Sequence, residues 1–133
     1  MRSLFLALLA LPAVAGAAEP LAPHYGASIA TVAQQFLHRV PSLQRDDCSG
    51  LIERVLSDAG VPKRGTTASY WATTSALGWV HREPVPSPGD LVFFDRTYDK
   101  DRDGKADDEL THIAVVARVE ADGTVVMLHR GSS

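Results

Sequence analysis

The chain has 133 residues, with 13 lysines and arginines against 16 aspartates and glutamates, a formal net charge of −3, and a 45% share of hydrophobic residues. That length supports one domain built around one core. The slightly acidic balance gives no electrostatic footprint for nucleic acid and excludes that class of partner.

Residues 1–17 have the layout of a signal peptide. Arg2 supplies the cationic start, Leu4 to Val14 an apolar centre, and Ala15-Gly16-Ala17 an A-x-A cleavage site. The apolar run is shorter than the ~20 residues a bilayer-spanning helix needs. No cysteine follows it to carry a lipid, so no membrane anchor is expected after cleavage. The expected compartment is periplasmic or secreted. Residues 18–27 contain proline and show no periodicity, which predicts a loose leader ahead of a single domain over 28–133.

Within that domain, Ile29, Val32, Ala33, Phe36, Leu37 and Val40 recur at helical spacing and predict an amphipathic helix ending before Pro41. A second helix is predicted from Cys48, with Asp47 as its cap, Leu51, Ile52, Val55, Leu56 and Ala59 on one face, and Gly60 and Pro62 closing it. Thr67 is expected to cap a third, shorter helix through Ala76, ended by Gly78. The pattern then changes: "SPGDLVFFD", "THIAVVARV" and "TVVMLHR" each predict a strand, with "EADG" as a hairpin between the last two. Helices followed by an antiparallel meander make the fold class α+β.

Cys48 is the chain's single cysteine, so no intramolecular disulfide can form. In an oxidising compartment an unpaired thiol is a liability unless it has a role, although free cysteines are also common as buried core residues. Its place at the first turn of a helix points to a role, because the unpaired backbone N–H groups and the helix dipole there favour a thiolate. Asp46 and Asp47 oppose that effect, so a base is still required. Ser49 and Gly50 are small and would let a substrate approach the sulfur. A thiol nucleophile needs a histidine to take its proton and a third group to orient that histidine. His24, His38 and His81 lie in leader, polar or loop sequence, whereas His112 opens one apolar strand and His129 ends the next. Cys48, His112 and His129 are therefore the candidate catalytic residues.

"DDCSGL", "PGDLVFF" and "THIAVV", in that order and followed by a histidine on the next strand, resemble the NlpC/P60 cysteine peptidases of bacterial cell walls. The resemblance runs from about Ile29 to Arg130. It implies a minimal papain-like fold, N-terminal helices packed on a small antiparallel sheet, with Cys48 as nucleophile, His112 as base and His129 as orienting residue. It also implies peptidoglycan stem peptides as the partner and an amide bond beside a D-configured residue as the target. Three departures stand out. "LHRVPSLQR" replaces the tyrosine- and glycine-rich segment that many members carry before the cysteine. The chain stops at Ser133, where members often add strands, so either the sheet is small or the domain is incomplete at its C-terminus. There is also an insertion between "VFFD" and "THIAVV".

That insertion is "RTYDKDRDGKADDEL". Asp99, Asp101 and Asp103 occupy positions 1, 3 and 5 of an EF-hand-type loop, Gly104 position 6, Lys105 position 7 (a backbone-carbonyl ligand) and Asp107 position 9. The pattern predicts a structural Ca²⁺ site, with no cofactor required for the chemistry. Leu110 stands where a bidentate glutamate is usual, and the alternative is a solvated acidic loop balanced by Lys100, Arg102 and Lys105. For the chain as a whole, the leading expectation is a monomeric cysteine peptidase. The alternatives are a cysteine-dependent acyltransferase or amidase on another amide, and a non-catalytic, calcium-stabilised wall-binding module.

The hairpin register tests the histidine assignment. A three-residue loop pairing Glu120 with Thr124 would put His112 and His129 on opposite faces of the sheet. A two-residue turn pairing Ala121 with Thr124 would keep them on one face but about 13 Å apart along the strand. A four-residue loop pairing Val119 with Thr124, or a bulge elsewhere with the same result, makes them diagonal neighbours within side-chain reach and is the predicted register.

Overall fold

The computed structural model describes residues 3–6, 23–61 and 63–131, with side chains described from Tyr25 onward. Three helices, α1 (Pro23–His38), α2 (Cys48–Asp58) and α3 (Thr67–Ala76), pack on an antiparallel sheet. Its strands are β1 (Ser3–Leu6), β2 (Val80–His81), β3 (Leu91–Phe94), β4 (His112–Val119) and β5 (Val125–Leu128), in the spatial order β2-β1-β3-β4-β5. This is the expected α+β arrangement. No helix among the described residues is long and apolar enough to cross a membrane.

The N-terminal region adds a strand that the sequence pattern did not announce and departs from expectation at residues 23–27. Ser3–Leu6, inside the segment read as a signal peptide, pairs with both β2 and β3. The rest of that segment and residues 18–22 of the leader lie outside the described residues. Residues 23–27, expected to be loose, form the first turns of α1. Proline is pre-organised for the first helical position, and a long-range contact supports this end of the helix. A Cβ added at Gly89 would lie 2.1 Å from the Gly26 carbonyl oxygen, so the turn before β3 sits directly on α1. Only glycine fits there, and its φ of +89° suits the same residue. The helix ends at His38, which leaves Val40 76% exposed rather than on the buried stripe.

Ile29 and Ala33 of α1, Leu51, Ile52 and Val55 of α2 and Tyr70 of α3 meet Leu91, Phe93, Ile113, Val115 and Ala117 in the main core. Phe93, Ile113, Val115 and Ile52 are fully buried, and burying a large apolar side chain contributes about 1.5–3 kcal/mol. The alternate residues Val92, Ala114 and Val116 form a second cluster on the opposite sheet face. α3 is capped by Thr66 rather than Thr67. Thr66 Oγ1 accepts the Ser69 N–H at 3.2 Å while Ser69 Oγ accepts the Thr66 N–H at 2.8 Å, a reciprocal capping box.

His81, read from sequence as a loop histidine, is 7% exposed in its side chain and lies against Asp90, with Nε2 3.2 Å from Oδ2. Its Nδ1 accepts the Glu83 N–H, which leaves Nε2 to donate to the carboxylate. Burial pushes the Asp90 carboxyl up to about 6. This pair joins β2 to the turn before β3 on which α1 rests.

Candidate active site

Asp47 begins the site. Its Oδ1 accepts the Gly50 N–H at 2.6 Å, capping α2 and placing Cys48 in the first turn. Gly50 serves a purpose different from the one expected. A Cβ there would lie 2.0 Å from the Arg45 carbonyl oxygen, so the absent side chain makes room for the preceding loop and not for a substrate. Ser49 is likewise buried, its hydroxyl 3.3 Å from Thr67 Oγ1. The half-buried thiol of Cys48 faces two hydroxyls, Thr67 Oγ1 at 3.9 Å and Ser49 Oγ at 4.0 Å. Thr67 is thus a site residue the sequence reading assigned elsewhere. Two adjacent threonines open α3, and only the reciprocal bonds of Thr66 release Thr67 toward the sulfur.

The histidines meet. His112 Nε2 lies 3.3 Å from His129 Nδ1, the rings edge to face with centroids 5.3 Å apart. The register behind this contact combines two of the options above. Glu120 N–H donates to the Thr124 carbonyl, the three-residue loop that by itself would separate the rings. A bulge then follows. Val119 pairs with Val125 and Arg118 with Val126, but Val116 pairs with Met127 and Val115 with Leu128. Ala117 is the extra residue, and it returns His129 to the face of His112. Burial lowers the His112 pKa from the usual histidine value. The neutral imidazole therefore persists to lower pH than in an exposed histidine.

The start of β4 is held from below the acidic loop. Arg96 N–H donates to the Asp108 carbonyl at 2.7 Å, Leu110 N–H to Asp95 Oδ1 at 2.8 Å and Thr111 N–H to the Phe94 carbonyl at 2.9 Å. Thr97 bonds the Thr111 hydroxyl through both its N–H and its own hydroxyl. Among the residues read as metal ligands, Asp99 and Asp101 converge, and the third carboxylate beside them is Asp108. Asp103 accepts the Lys105 N–H on its Oδ1 and lies outside the converging carboxylates among the described residues; that amide is a donor and ligates nothing, so the bond gives Lys105 no ligand role. Asp107 lies outside the converging group among the described residues.

No hydrogen bond joins Cys48 Sγ to either imidazole among the described residues. His112 continues the sheet face of Ala114 and Val116, while α2 packs toward the face of Ile113 and Val115. The cysteine end of α2 and the histidine end of the sheet are nonetheless tied. Arg130, next to His129, makes a two-pronged pair with Asp46, two residues before Cys48, at 2.7 and 2.9 Å.

No curated protein and no solved structure matches the chain at a significant level. The CHAP domain profile matches residues 41–131, from the loop before Cys48 to just past Arg130. CHAP domains are found in NlpC/P60-like and amidase hydrolases of peptidoglycan, in agreement with the resemblance read from the motifs, and are usually cysteine-dependent amidases or peptidases. The match spans more than half of the sequence and includes Cys48, His112 and His129: the chain belongs to the CHAP domain family.

Proposed function

We propose that the chain is an exported cysteine peptidase that hydrolyses peptide amide bonds of peptidoglycan, acting as an endopeptidase through Cys48, His112 and His129. The observation that supports this best is the 3.3 Å contact between His112 Nε2 and His129 Nδ1, at the sheet end joined to the Cys48 loop. That contact occupies Nε2 of His112 and leaves Nδ1 for the thiol. His112 Nε2–H donates to His129, and His112 Nδ1 takes the Cys48 proton as the sulfur attacks the carbonyl carbon. The C–N bond breaks, and His112 returns the proton to the leaving amine. Water, deprotonated by His112, then cleaves the thioester and releases the acid. The Thr67 hydroxyl lies beside the sulfur throughout.

Mass spectrometry of purified peptidoglycan incubated with the protein tests this reading. New peptide termini beside D-configured residues are expected; intact stem peptides would refute it, and release of whole peptides from the glycan would mark an amidase instead. The pH profile supplies a second check. The neutral base form of His112 is lost only as pH falls through its lowered pKa, so the acid limb of kcat/KM should lie below the ~6.5 of an ordinary histidine.

We also read the acidic loop as a Ca²⁺ site, supported by the convergence of Asp99, Asp101 and Asp108. Ca²⁺ at 100 times its Kd would stabilise the folded state by about 2.7 kcal/mol. Millimolar Ca²⁺ should therefore raise Tm by several degrees, and Asp101→Ala with Asp108→Ala should abolish the rise. An unchanged Tm in the intact protein would identify a solvated acidic loop.

A further inference from the structure

His129 has no place in the sheet ladder. The last paired residue of β5 is Leu128, opposite Val115, and only Arg130 and Gly131 follow His129 among the described residues. Strand pairing therefore brings the chain up to His129 without fixing the direction it takes afterwards. The next residue, Arg130, makes a specific bond to a distant segment. Its Nε lies 2.7 Å from Asp46 Oδ1 and its Nη2 2.9 Å from Asp46 Oδ2, a side-on bidentate geometry that fixes orientation as well as distance. Asp46 is in turn coupled to the nucleophile. Asp47, its neighbour, caps α2, and the Arg45 backbone is locked against Gly50.

We propose that Asp46 and Arg130 are positioning residues, a charged clasp that sets His129, and through it His112, relative to Cys48. This rests on the catalytic reading above and deepens it. Both side chains are substantially exposed, at 69% for Asp46 and 41% for Arg130. A pair so open to water adds little to stability, yet the clasp joins segments 84 residues apart at the point where the ladder stops. Its effect is on geometry: misplacing a catalytic group by about 1 Å costs up to roughly 100-fold in rate.

The experiment compares Arg130→Ala, Asp46→Ala, the double alanine variant and the exchanged pair Asp46→Arg with Arg130→Asp. Three properties are measured: kcat/KM on peptidoglycan, Tm, and the ring-to-ring nuclear Overhauser effect between His112 and His129. Each single variant should lose roughly 10- to 100-fold in kcat/KM and weaken the ring contact, while Tm moves by no more than about 4 °C. The double variant should be no worse than the singles, and the exchanged pair should recover both rate and ring contact. Unchanged rate and ring contact in Arg130→Ala would overturn the proposal. So would a rate loss with the ring contact intact and no recovery on exchange, since Arg130 would then act on substrate directly. If the unaltered protein leaves peptidoglycan intact while the ring contact still follows the clasp, the positioning role stands and the substrate reading falls.

Discussion

Replacing Cys48 with serine should abolish turnover, by roughly 10³-fold or more, and leave the fold unchanged. The sulfur lies against the hydroxyls of Thr67 and Ser49, and a serine Oγ placed there can bond to either of them. Packing against the core is therefore kept. What is lost is nucleophilicity, because a hydroxyl is a poor nucleophile near neutral pH and His112, its pKa lowered by burial, is a weak base for so weak an acid. Fragment release from peptidoglycan measures the rate, and thermal melting shows that the variant is folded. Activity within tenfold of the parent protein would remove Cys48 from the mechanism.

The second large effect is expected at Gly50, on stability as well as rate. Alanine in a helix normally gains ~1 kcal/mol over glycine. Here its Cβ would meet the Arg45 carbonyl oxygen at 2.0 Å and the Arg45 carbonyl carbon at 2.9 Å. Both are backbone atoms, so the loop must move as a unit. Overpacking of this kind costs about 1–3 kcal/mol or more, and displacing the loop disturbs the Asp47 cap, worth ~1 kcal/mol. The net loss should be about 2 kcal/mol, a Tm lower by roughly 10 °C for a domain of this size, with activity falling as Asp46 is drawn away from Arg130. An equal or higher Tm in Gly50→Ala would show that helix propensity dominates and that the loop has room.

How much of this was legible in the sequence depends on whether the signal was local. The start of α2 at Cys48, its Asp47 cap and the strand content of "THIAVVARV" follow from caps and periodicity, and the structure agrees. Features set by how the chain folds back on itself, or by a choice between two neighbouring caps, were hidden. His81 gives no local sign that it is buried against Asp90, because its partner stands beyond a proline-rich turn. Nothing in residues 23–27 signals a helix until the Gly89 turn is placed against Gly26. Gly50 is small for a reason visible only once Arg45 folds back on it. Thr67 reads as a cap until Ser69 is seen to bond Thr66 instead. The hairpin register was legible only as a condition, since the loop residues set the pairing of Glu120 with Thr124 while no residue type in "VVARV" announces the bulge.

The bulge at Ala117 makes the histidine pair depend on arithmetic rather than chemistry. Whether two side chains on adjacent strands share a face depends on whether the residues between them add up to the right parity, and each single insertion or deletion reverses it. Between His112 and His129 the three-residue turn and the extra residue at 117 are two odd corrections that cancel. Identity matters little to this sum. Another small apolar residue at 117 leaves the count untouched, whereas losing any one residue between the rings sends His129 through to the other side of the sheet. This hairpin therefore accommodates change of letter far more readily than change of length, and a second length change on the same hairpin can repair the first.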